Sequence, residues 1–276
     1  MSAASSAASS AAFSAASAVS KEGDGEYAAV LDPGWAVGER PHGGYLLAVV
    51  ARAALDAAAS VADAPDPLVV SAQFLRPPSC GPALVRTSVR RSGRTITVVN
   101  AALEQDGRPC VDATITCGVL PDGSASWADL PALPAEPPAD AIDVGAYPDN
   151  PFKLGTVCRL RLDAATVGFI TGQRGLPPLV RSWVQPADEP PDALFALVAA
   201  DISPPVVFNL GHRGWPPTVQ LTALLRARPA PGWLRVQAEA RALHDRWFDE
   251  DHTVIDSTGR LICQARQLAI APPSAG

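Results

Sequence analysis

The chain has no net positive charge and no long apolar run, and each absence excludes a class of protein. Lys21 and Lys153 are the only lysines among 276 residues, and the formal net charge is −6. A net negative charge gives no basic footprint for nucleic acid, although a local positive patch for a phosphorylated ligand stays open. No segment has the roughly 18 uninterrupted apolar residues that a membrane span requires. We therefore predict a soluble, cytoplasmic protein that binds neither nucleic acid nor membrane.

Motifs typical of metal sites, disulfides and nucleotide cofactors are absent as well. The five cysteines are odd in number, scattered and never arranged as C-x-x-C. This usage indicates reduced thiols in a cytosol and argues against a disulfide framework or zinc. There is no P-loop, no G-x-G-x-x-G after a strand and no G-x-S-x-G elbow, and the histidines follow no metal-ligand or Ser/His/Asp spacing. We expect neither a metal nor a cofactor.

The start of the chain lacks the features of a secretory signal. Residues 1–20 are almost wholly Ala and Ser, without the basic start and the strongly apolar, Leu-rich stretch that such a signal needs. We predict a disordered Ala/Ser-rich tail over residues 1–25.

What the sequence does contain is a repeated skeleton, because four short features recur 152 positions later. The pairs are Arg76-Pro77 with Arg228-Pro229, Arg94 with Arg246, Gly107-Arg108 with Gly259-Arg260, and Ala113 with Ala265. Self-similarity at one spacing indicates a tandem duplication, in which two copies can divide labour. A polar residue in one copy opposite an apolar residue in the other then marks where chemistry was added to a shared scaffold.

Both copies show the same order of predicted elements. The segment 42–61 follows a proline and is apolar on nearly every face, which predicts a buried central helix. Four strand-like runs with period-two stretches follow between 68 and 118. The second half repeats this order, with a helix predicted from about Asp192 to Asp201 and strands between 217 and 270. We predict an α+β fold in which one long helix lies on an antiparallel sheet, twice.

The composition of the chain suggests where the two units meet. Residues 121–150 are rich in Pro, Ala and Asp and show no periodicity, which is typical of a linker between domains. We therefore predict a first unit at residues 26–120 and a second at residues 151–273.

One contrast between the copies involves Ile115 and Gln267. On the last predicted strand Leu261, Cys263 and Ala265 share one face, and strand alternation places Gln267 on that apolar face. Burying an amide without a partner costs roughly 1 to 3 kcal/mol, so this Gln should have a fixed partner or bind something. The alternative is a core amide that is hydrogen-bonded and nothing more.

A carboxylate is likewise predicted on an apolar face, at the end of the second predicted helix. Asp201 lies three, four and seven positions after Val198, Leu197 and Leu194, so it shares their apolar stripe. Asp at such a boundary also commonly ends a helix by bonding local backbone, and that alternative stays open. Thr218 opens the following strand and offers a hydroxyl nearby, although Thr is common in strands.

Two glycines open the first predicted helix. Gly43 and Gly44 leave backbone N–H groups uncovered at a helix start, which suits a developing oxyanion or a carbonyl oxygen. His42 before them fits a capping or surface histidine better than a base.

Taken in order, these segments resemble the acyl-CoA thioesterase family of the double-hotdog type, the thioesterase II-like enzymes and their actinobacterial relatives. The resemblance spans most of residues 26–272. The segments that carry it are His42-Gly43-Gly44-Tyr45, Phe74-Leu75-Arg76-Pro77, Arg181-Ser182-Trp183-Val184, Pro217-Thr218-Val219-Gln220-Leu221-Thr222, and Gly259-Arg260-Leu261 through Arg266-Gln267. The resemblance implies a tandem hotdog fold, an acyl-CoA or other acyl thioester as substrate, and hydrolysis without a covalent intermediate.

The resemblance also implies roles for individual residues. Asp201, Thr218 and Gln267 match the three side chains with which the family holds the attacking water. Gly43 and Gly44, with Tyr45 beside them, would bind the oxyanion or the substrate. The chain departs from the family at Gln220, where relatives often have an acidic residue two positions after the Thr.

Two other functions stay open at this point. A hotdog protein with the same crevice can bind acyl-CoA or an acyl carrier without hydrolysing it. A hotdog enoyl hydratase or dehydratase is the third candidate, but it needs a spaced Asp and His, and no D-x-x-x-x-H is present. Neither the acyl chain nor the carrier follows from the sequence, and a homo-oligomer is compatible with it.

Overall fold

The computed structural model describes residues 12–146 and 152–274. In the first of these ranges the strands are β1 Val19–Gly23, β2 Glu26–Leu31, β3 Ala36–Val37, β4 Arg40–Pro41, β5 Asp66–Phe74, β6 Gly81–Ser92, β7 Thr97–Gln105, β8 Arg108–Gly118 and β9 Ile142–Asp143. In the second they are β10 Cys158–Leu162, β11 Leu179–Pro186, β12 Thr218–Leu225, β13 Leu234–Glu239, β14 Leu243–His244, β15 Trp247–Ile255 and β16 Leu261–Ile270. The α-helices are α1 Phe13–Ala16, α2 Gly43–Ala59, α3 Leu154–Val157, α4 Gly168–Thr171 and α5 Phe195–Ala199.

Most of the strands form one large antiparallel sheet, and the strand order in its first half resembles that in its second half. Neighbours run β1-β2-β6-β7-β8-β5-β12-β16-β15-β13-β11-β10-β9, and β14 pairs with β15. The two central strands are β5 and β12. Counted outward from them, the order β5-β8-β7-β6-β2 in the first half corresponds strand by strand to β12-β16-β15-β13-β11 in the second. The equivalent residues Ile115 and Gln267 therefore lie on the two strands that flank the central pair.

The predicted central helix α2 is present and is almost wholly buried. The second helix differs from the prediction, because α5 has only five residues and ends before Asp201. Pro204-Pro205 follows closely, and proline both lacks the helical N–H and disfavours helical backbone before it. The prediction of one long helix in each half is therefore wrong. The long helix α2 of the first half packs on the short helix α5 of the second.

The predicted disordered tail is wrong for residues 12–25, while residues 1–11 lie outside the described residues. Strand β1 pairs with β2, and Phe13 of α1 is buried. Its ring centroid lies 5.1 Å from that of Trp35 and 5.3 Å from that of Phe195. A single large aromatic side chain anchors an otherwise Ala- and Ser-rich segment, because its burial offsets the entropy of ordering a few small residues.

The segment predicted as a linker is held by the second half of the chain, as far as it is described. Arg235 donates from Nη1 to the Leu133 carbonyl at 2.9 Å, and the Trp183 indole donates to the Pro134 carbonyl at 2.9 Å. Strand β9 then adds to the sheet beside β10. Residues 147–150 of the predicted linker lie outside the described residues.

Two further observations concern the described parts of the chain as a whole. All five cysteines are free thiols. No helix within residues 12–146 and 152–274 combines the length and the apolar character that crossing a bilayer requires.

Candidate active site

The Asp201 carboxylate lies where the two halves of the chain meet. Its Oδ2 accepts a hydrogen bond from the Gly44 N–H at 2.7 Å, 157 positions earlier in the chain. The side chain is 10% exposed, and Oδ2 lies 3.5 Å from Nε2 of His42. The alternative in which Asp201 only bonds local backbone is therefore excluded, because its partner is the first turn of α2.

Glycine at the start of α2 is required by close packing against α5. A Cβ on Gly44 would lie 2.4 Å from the Leu197 carbonyl oxygen and 2.8 Å from Val198 Cα. A Cβ on Gly43 would lie 2.6 Å from Asp201 Oδ2. Both positions admit only hydrogen, since the neighbours are backbone atoms or a carboxylate that is already held. The glycines bring the N-terminus of α2 within hydrogen-bonding distance of the carboxylate.

His42 caps α2 and is buried, so the capping interpretation is confirmed and the surface interpretation is wrong. Its Nδ1 lies 3.4 Å from the Tyr45 N–H, and its Nε2 lies 2.9 Å from the Asp201 carbonyl oxygen. Since Nδ1 accepts from the Tyr45 N–H, Nε2 carries the proton and donates to the Asp201 carbonyl. His42 thus ties the start of α2 to the backbone of Asp201.

Thr218 and Gln267 form a direct pair. The Thr218 hydroxyl donates to Gln267 Oε1 at 2.8 Å, and Gln267 is 7% exposed. The predicted burial of Gln267 is confirmed. The contact depends on an irregularity in β12 between residues 218 and 220, because Thr218 pairs with Ala269 while Gln220 pairs with Leu268. The bulge moves Thr218 to the face of β16 that carries Gln267.

The residue that sequence reasoning missed is Glu250 on β15. It is 1% exposed, its Oε1 accepts from the Val206 N–H at 3.0 Å, and its Oε2 accepts from Gln267 Nε2. Its burial follows from alternation, since the neighbouring Asp249 and Asp251 turn outward to Arg266. Period-two analysis of β15 places Glu250 between Phe248 and His252 on an apolar face, and this signal would have found it.

Burial dominates the electrostatics of the cluster. It raises the pKa of Asp201 above the ordinary 3.8, against the lowering effects of His42 and the Gly44 N–H. It also raises the pKa of Glu250 from 4.5 to about 8, and the charge of Asp201 adds to this, although the bonds from Val206 and Gln267 oppose it. Asp201 and Glu250 therefore share one electrostatic environment.

His252 completes the buried polar group. Burial lowers its pKa from 6.5 to about 4, and the electrostatic interaction with His42 acts in the same direction. Its ring is thus neutral at physiological pH. Nδ1 of this ring is one of the few buried polar atoms without a hydrogen-bond partner among the described residues.

Two expectations for the start of α2 need correction. The Gly44 N–H is not open to a ligand, because Asp201 accepts it. Tyr45 does not line the site: its ring is fully buried, and its hydroxyl donates to the Ala16 carbonyl at 2.6 Å and accepts from the Asp32 N–H at 3.1 Å. Of the three candidates for binding an oxyanion or substrate, Gly43 alone keeps an N–H without a partner among the described residues.

Gln220, the residue at which the chain departs from the family, lies outside this cluster. Its Nε2 donates to the Thr222 hydroxyl at 2.6 Å, and Thr222 in turn lies 2.8 Å from the Ser71 hydroxyl. These side chains join the central strands β12 and β5. Gln220 therefore links the two halves of the sheet, on the face opposite to Thr218 and Gln267.

Comparisons with known proteins bear on the family of the chain and on its fold. The sequence profile of the acyl-CoA thioesterase C-terminal domain matches residues 128–271, and that of the acyl-CoA thioesterase N-terminal domain matches residues 31–118. An uncharacterized protein of Mycobacterium tuberculosis is 40% identical over 262 residues, which cover 88% of this chain and 89% of that protein.

Solved structures extend the comparison. A candidate thioesterase II from Thermobifida fusca superposes with a TM-score of 0.84 at 31% identity, covering 95% of this chain and 97% of that chain. A conserved protein of unknown function with a hot dog fold, from Alicyclobacillus acidocaldarius, gives a TM-score of 0.80 at 22% identity, with 95% and 98% covered.

The fold and the matches define an α+β protein with the hot dog fold, whose antiparallel sheet carries few helices. More specifically, the chain belongs to the acyl-CoA thioesterase family, since one domain profile covers more than half of it and the other covers most of the remainder.

Proposed function

We propose that this protein is an acyl-CoA thioesterase, which hydrolyses an acyl thioester to the free acid and CoA by direct attack of water. Two observations carry the proposal: the Asp201 carboxylate lies at the N-terminus of α2, and the Thr218–Gln267 pair is connected through Glu250 to the segment that follows Asp201. Family membership supports the reaction class. The repeated half-sheets support two hotdog units, at residues 26–120 and 151–273, which share one site of this kind.

The hydrogen-bond pattern accommodates a water molecule. Oδ1 of Asp201 has no hydrogen-bond partner among the described residues, and so it is free to accept a proton from water. The Thr218 hydroxyl already donates to Gln267 Oε1, so its own oxygen accepts from the same water. Gln267 Nε2 has one N–H on Glu250 and a second N–H left to donate to the water oxygen.

In the proposed step, the water oxygen bonds to the thioester carbonyl carbon while Asp201 takes a water proton. The raised pKa of Asp201 makes its carboxylate a stronger base than an ordinary aspartate. The carbonyl oxygen becomes an oxyanion, which the free N–H of Gly43 at the positive end of α2 stabilises. The C–S bond then breaks, and the leaving thiolate receives the proton from Asp201.

The test is a panel of acyl-CoA chain lengths with free-thiol detection, run on wild type and on Asp201→Asn. Asparagine keeps an oxygen for the Gly44 N–H but removes the base, so we expect turnover to fall by about 10²-fold to 10⁴-fold without unfolding. Wild-type binding without thiol release would instead support a non-catalytic acyl-CoA binding protein. Equal turnover in both proteins would remove Asp201 from its role.

Variants of Thr218 provide an independent test of the proposed function. Thr218→Val removes the hydroxyl at nearly constant shape, and Thr218→Ser keeps it. We expect thiol release to be lost in the valine variant and retained in the serine variant. Equal activity in the two variants would contradict a role for the hydroxyl.

A further inference from the structure

The buried carboxyl of Glu250 has no positive partner. Among the described residues no Lys, Arg or His nitrogen lies within 4.0 Å of it. A carboxyl group without a cation or full hydrogen bonding is unfavourable in an apolar interior, so its two contacts account for its presence there.

These contacts join two different segments of the candidate site. Oε1 of Glu250 accepts from the N–H of Val206. Val206 is the first residue of the 3-10 helix Val206–Leu210, which lies a few residues after Asp201. The other contact, on Oε2, is the side-chain amide of Gln267 on β16. One side chain therefore connects the segment after the proposed base to the amide that faces Thr218.

The contact with Gln267 also decides which way its amide points. A side-chain amide has one accepting and one donating end, and Thr218 donates to the accepting end at 2.8 Å. Because Oε2 of Glu250 accepts from the donating end, the carboxyl and the hydroxyl together select one orientation. In the reversed orientation, Gln267 would meet the Thr218 hydroxyl with N–H groups and would turn its oxygen toward Glu250.

We propose that Glu250 is a positioning residue, which holds the Gln267 amide in one orientation and fixes it relative to the segment that follows Asp201. Glu250 acts through Gln267 and touches no substrate. This inference rests on the proposed function for its kinetic part. Its structural part, the coupling of positions 250 and 267, stands without that function.

The kinetic test uses Glu250→Gln, which keeps the size of the side chain and the oxygen that accepts from Val206. Its new NH₂ group opposes the Gln267 NH₂ group, so the Gln267 amide must turn over. We expect kcat to fall on the order of 10-fold to 100-fold with KM within about twofold, because the water is misplaced while the acyl group still binds. The matched control is Asp251→Asn on the opposite face of β15, which should keep the wild-type kcat.

The stability test uses the exchanged pair, Glu250→Gln together with Gln267→Glu. In this double variant the amide at position 250 donates to the carboxylate at position 267, which also accepts from Thr218. We expect each single variant to lower the urea midpoint and the double variant to recover most of that loss. Activity should stay low, because position 267 then has no N–H for the water.

The outcomes separate the two proposals. A wild-type kcat in Glu250→Gln, or additive losses of stability in the double variant, overturns the positioning role. If the wild type releases no thiol from any acyl thioester while the double variant still recovers stability, the proposed function fails and the coupling of Glu250 to Gln267 stands.

Discussion

The backbone N–H of Gly44 donates to the Asp201 carboxylate across 157 positions of sequence, with 2.7 Å between nitrogen and oxygen. Gly44 lies in the first turn of the long helix of the first half, and Asp201 follows the short helix of the second. The candidate site is therefore assembled from both halves, although its three predicted side chains all come from the second. The first half supplies a helix terminus, and the second half supplies the polar side chains.

The first prediction concerns the contact between the helices. Gly44→Ala places a Cβ 2.4 Å from the Leu197 carbonyl oxygen, so α2 and α5 must move apart. We expect a loss of about 1–3 kcal/mol in the free energy of unfolding, measured in urea, together with a lower kcat, because Asp201 loses its donor. Gly123→Ala, where nothing lies within 4 Å, is the control and should change stability by less than about 0.5 kcal/mol. Equal effects at the two positions would contradict the close packing of α2 on α5.

The second prediction concerns the acidic limb of the pH profile. Burial raises the pKa of Asp201, and His42 partly counteracts this. A base must be deprotonated, so kcat/KM should fall as pH drops through a pKa above 3.8. In His42→Gln, the effect of His42 that lowers the pKa of Asp201 is lost, so the acidic limb of the kcat/KM profile should move to higher pH. An unchanged limb in this variant, measured with one acyl-CoA from pH 4 to 8, would show that His42 does not act on the base.

The third prediction concerns stability between pH 4.5 and pH 8. The pKa of Glu250 is raised from 4.5 to about 8 in the folded protein, so between these values the folded state holds a proton that the unfolded state releases. The contribution of Glu250 to stability is therefore full below pH 4.5 and is lost as pH rises toward 8, by up to about 1.4 kcal/mol per pH unit. In Glu250→Gln this loss disappears.

Urea titrations from pH 5 to 8 measure that difference. The free energy of unfolding of Glu250→Gln, relative to wild type, should increase steadily with pH. A difference that stays constant over this range would mean that Glu250 ionises in the folded protein as it does in the unfolded chain.

The fourth prediction concerns the N-terminal segment. Phe13 is the one large side chain of α1, and it packs on Trp35 and Phe195. Phe13→Ala should let α1 detach locally, so that the Ala16 and Ser17 amides exchange hydrogen on the order of 100-fold faster. Trp127→Ala, at an aromatic residue that is 81% exposed, is the control and should leave those amides unchanged. Protection that survives in Phe13→Ala would place the anchor elsewhere, for example in the bond from Arg52 to Ser17.

Local patterns in the sequence predicted much of the fold. Period-two alternation identified the strands on either side of the central pair, and the apolar segment after Pro41 identified α2. The buried position of Gln267 followed from the same alternation, because burial on a strand depends only on the parity of the position. The helical stripe likewise pointed Asp201 inward, although α5 ends two residues before it.

Other features escaped prediction because they depend on contacts that no local pattern encodes. The bulge between residues 218 and 220 shifts the pairing by one residue, and a shift of one moves a side chain to the other face. Parity counted along β12 would group Thr218 with Gln220 and Thr222, away from Gln267. Phe13 is another case, because its surroundings are all distant in sequence.

The sequence by itself determined which residues are buried within each strand and helix, since burial there follows the period of the element. It also identified the family. Only the tertiary structure decided which buried polar groups meet: Asp201 with Gly44, Thr218 with Gln267, and Gln267 with Glu250. The physical reason is that a hydrogen bond requires placement to within a few tenths of an ångström, and that placement comes from the packing of α2 on α5 and from the register of neighbouring strands.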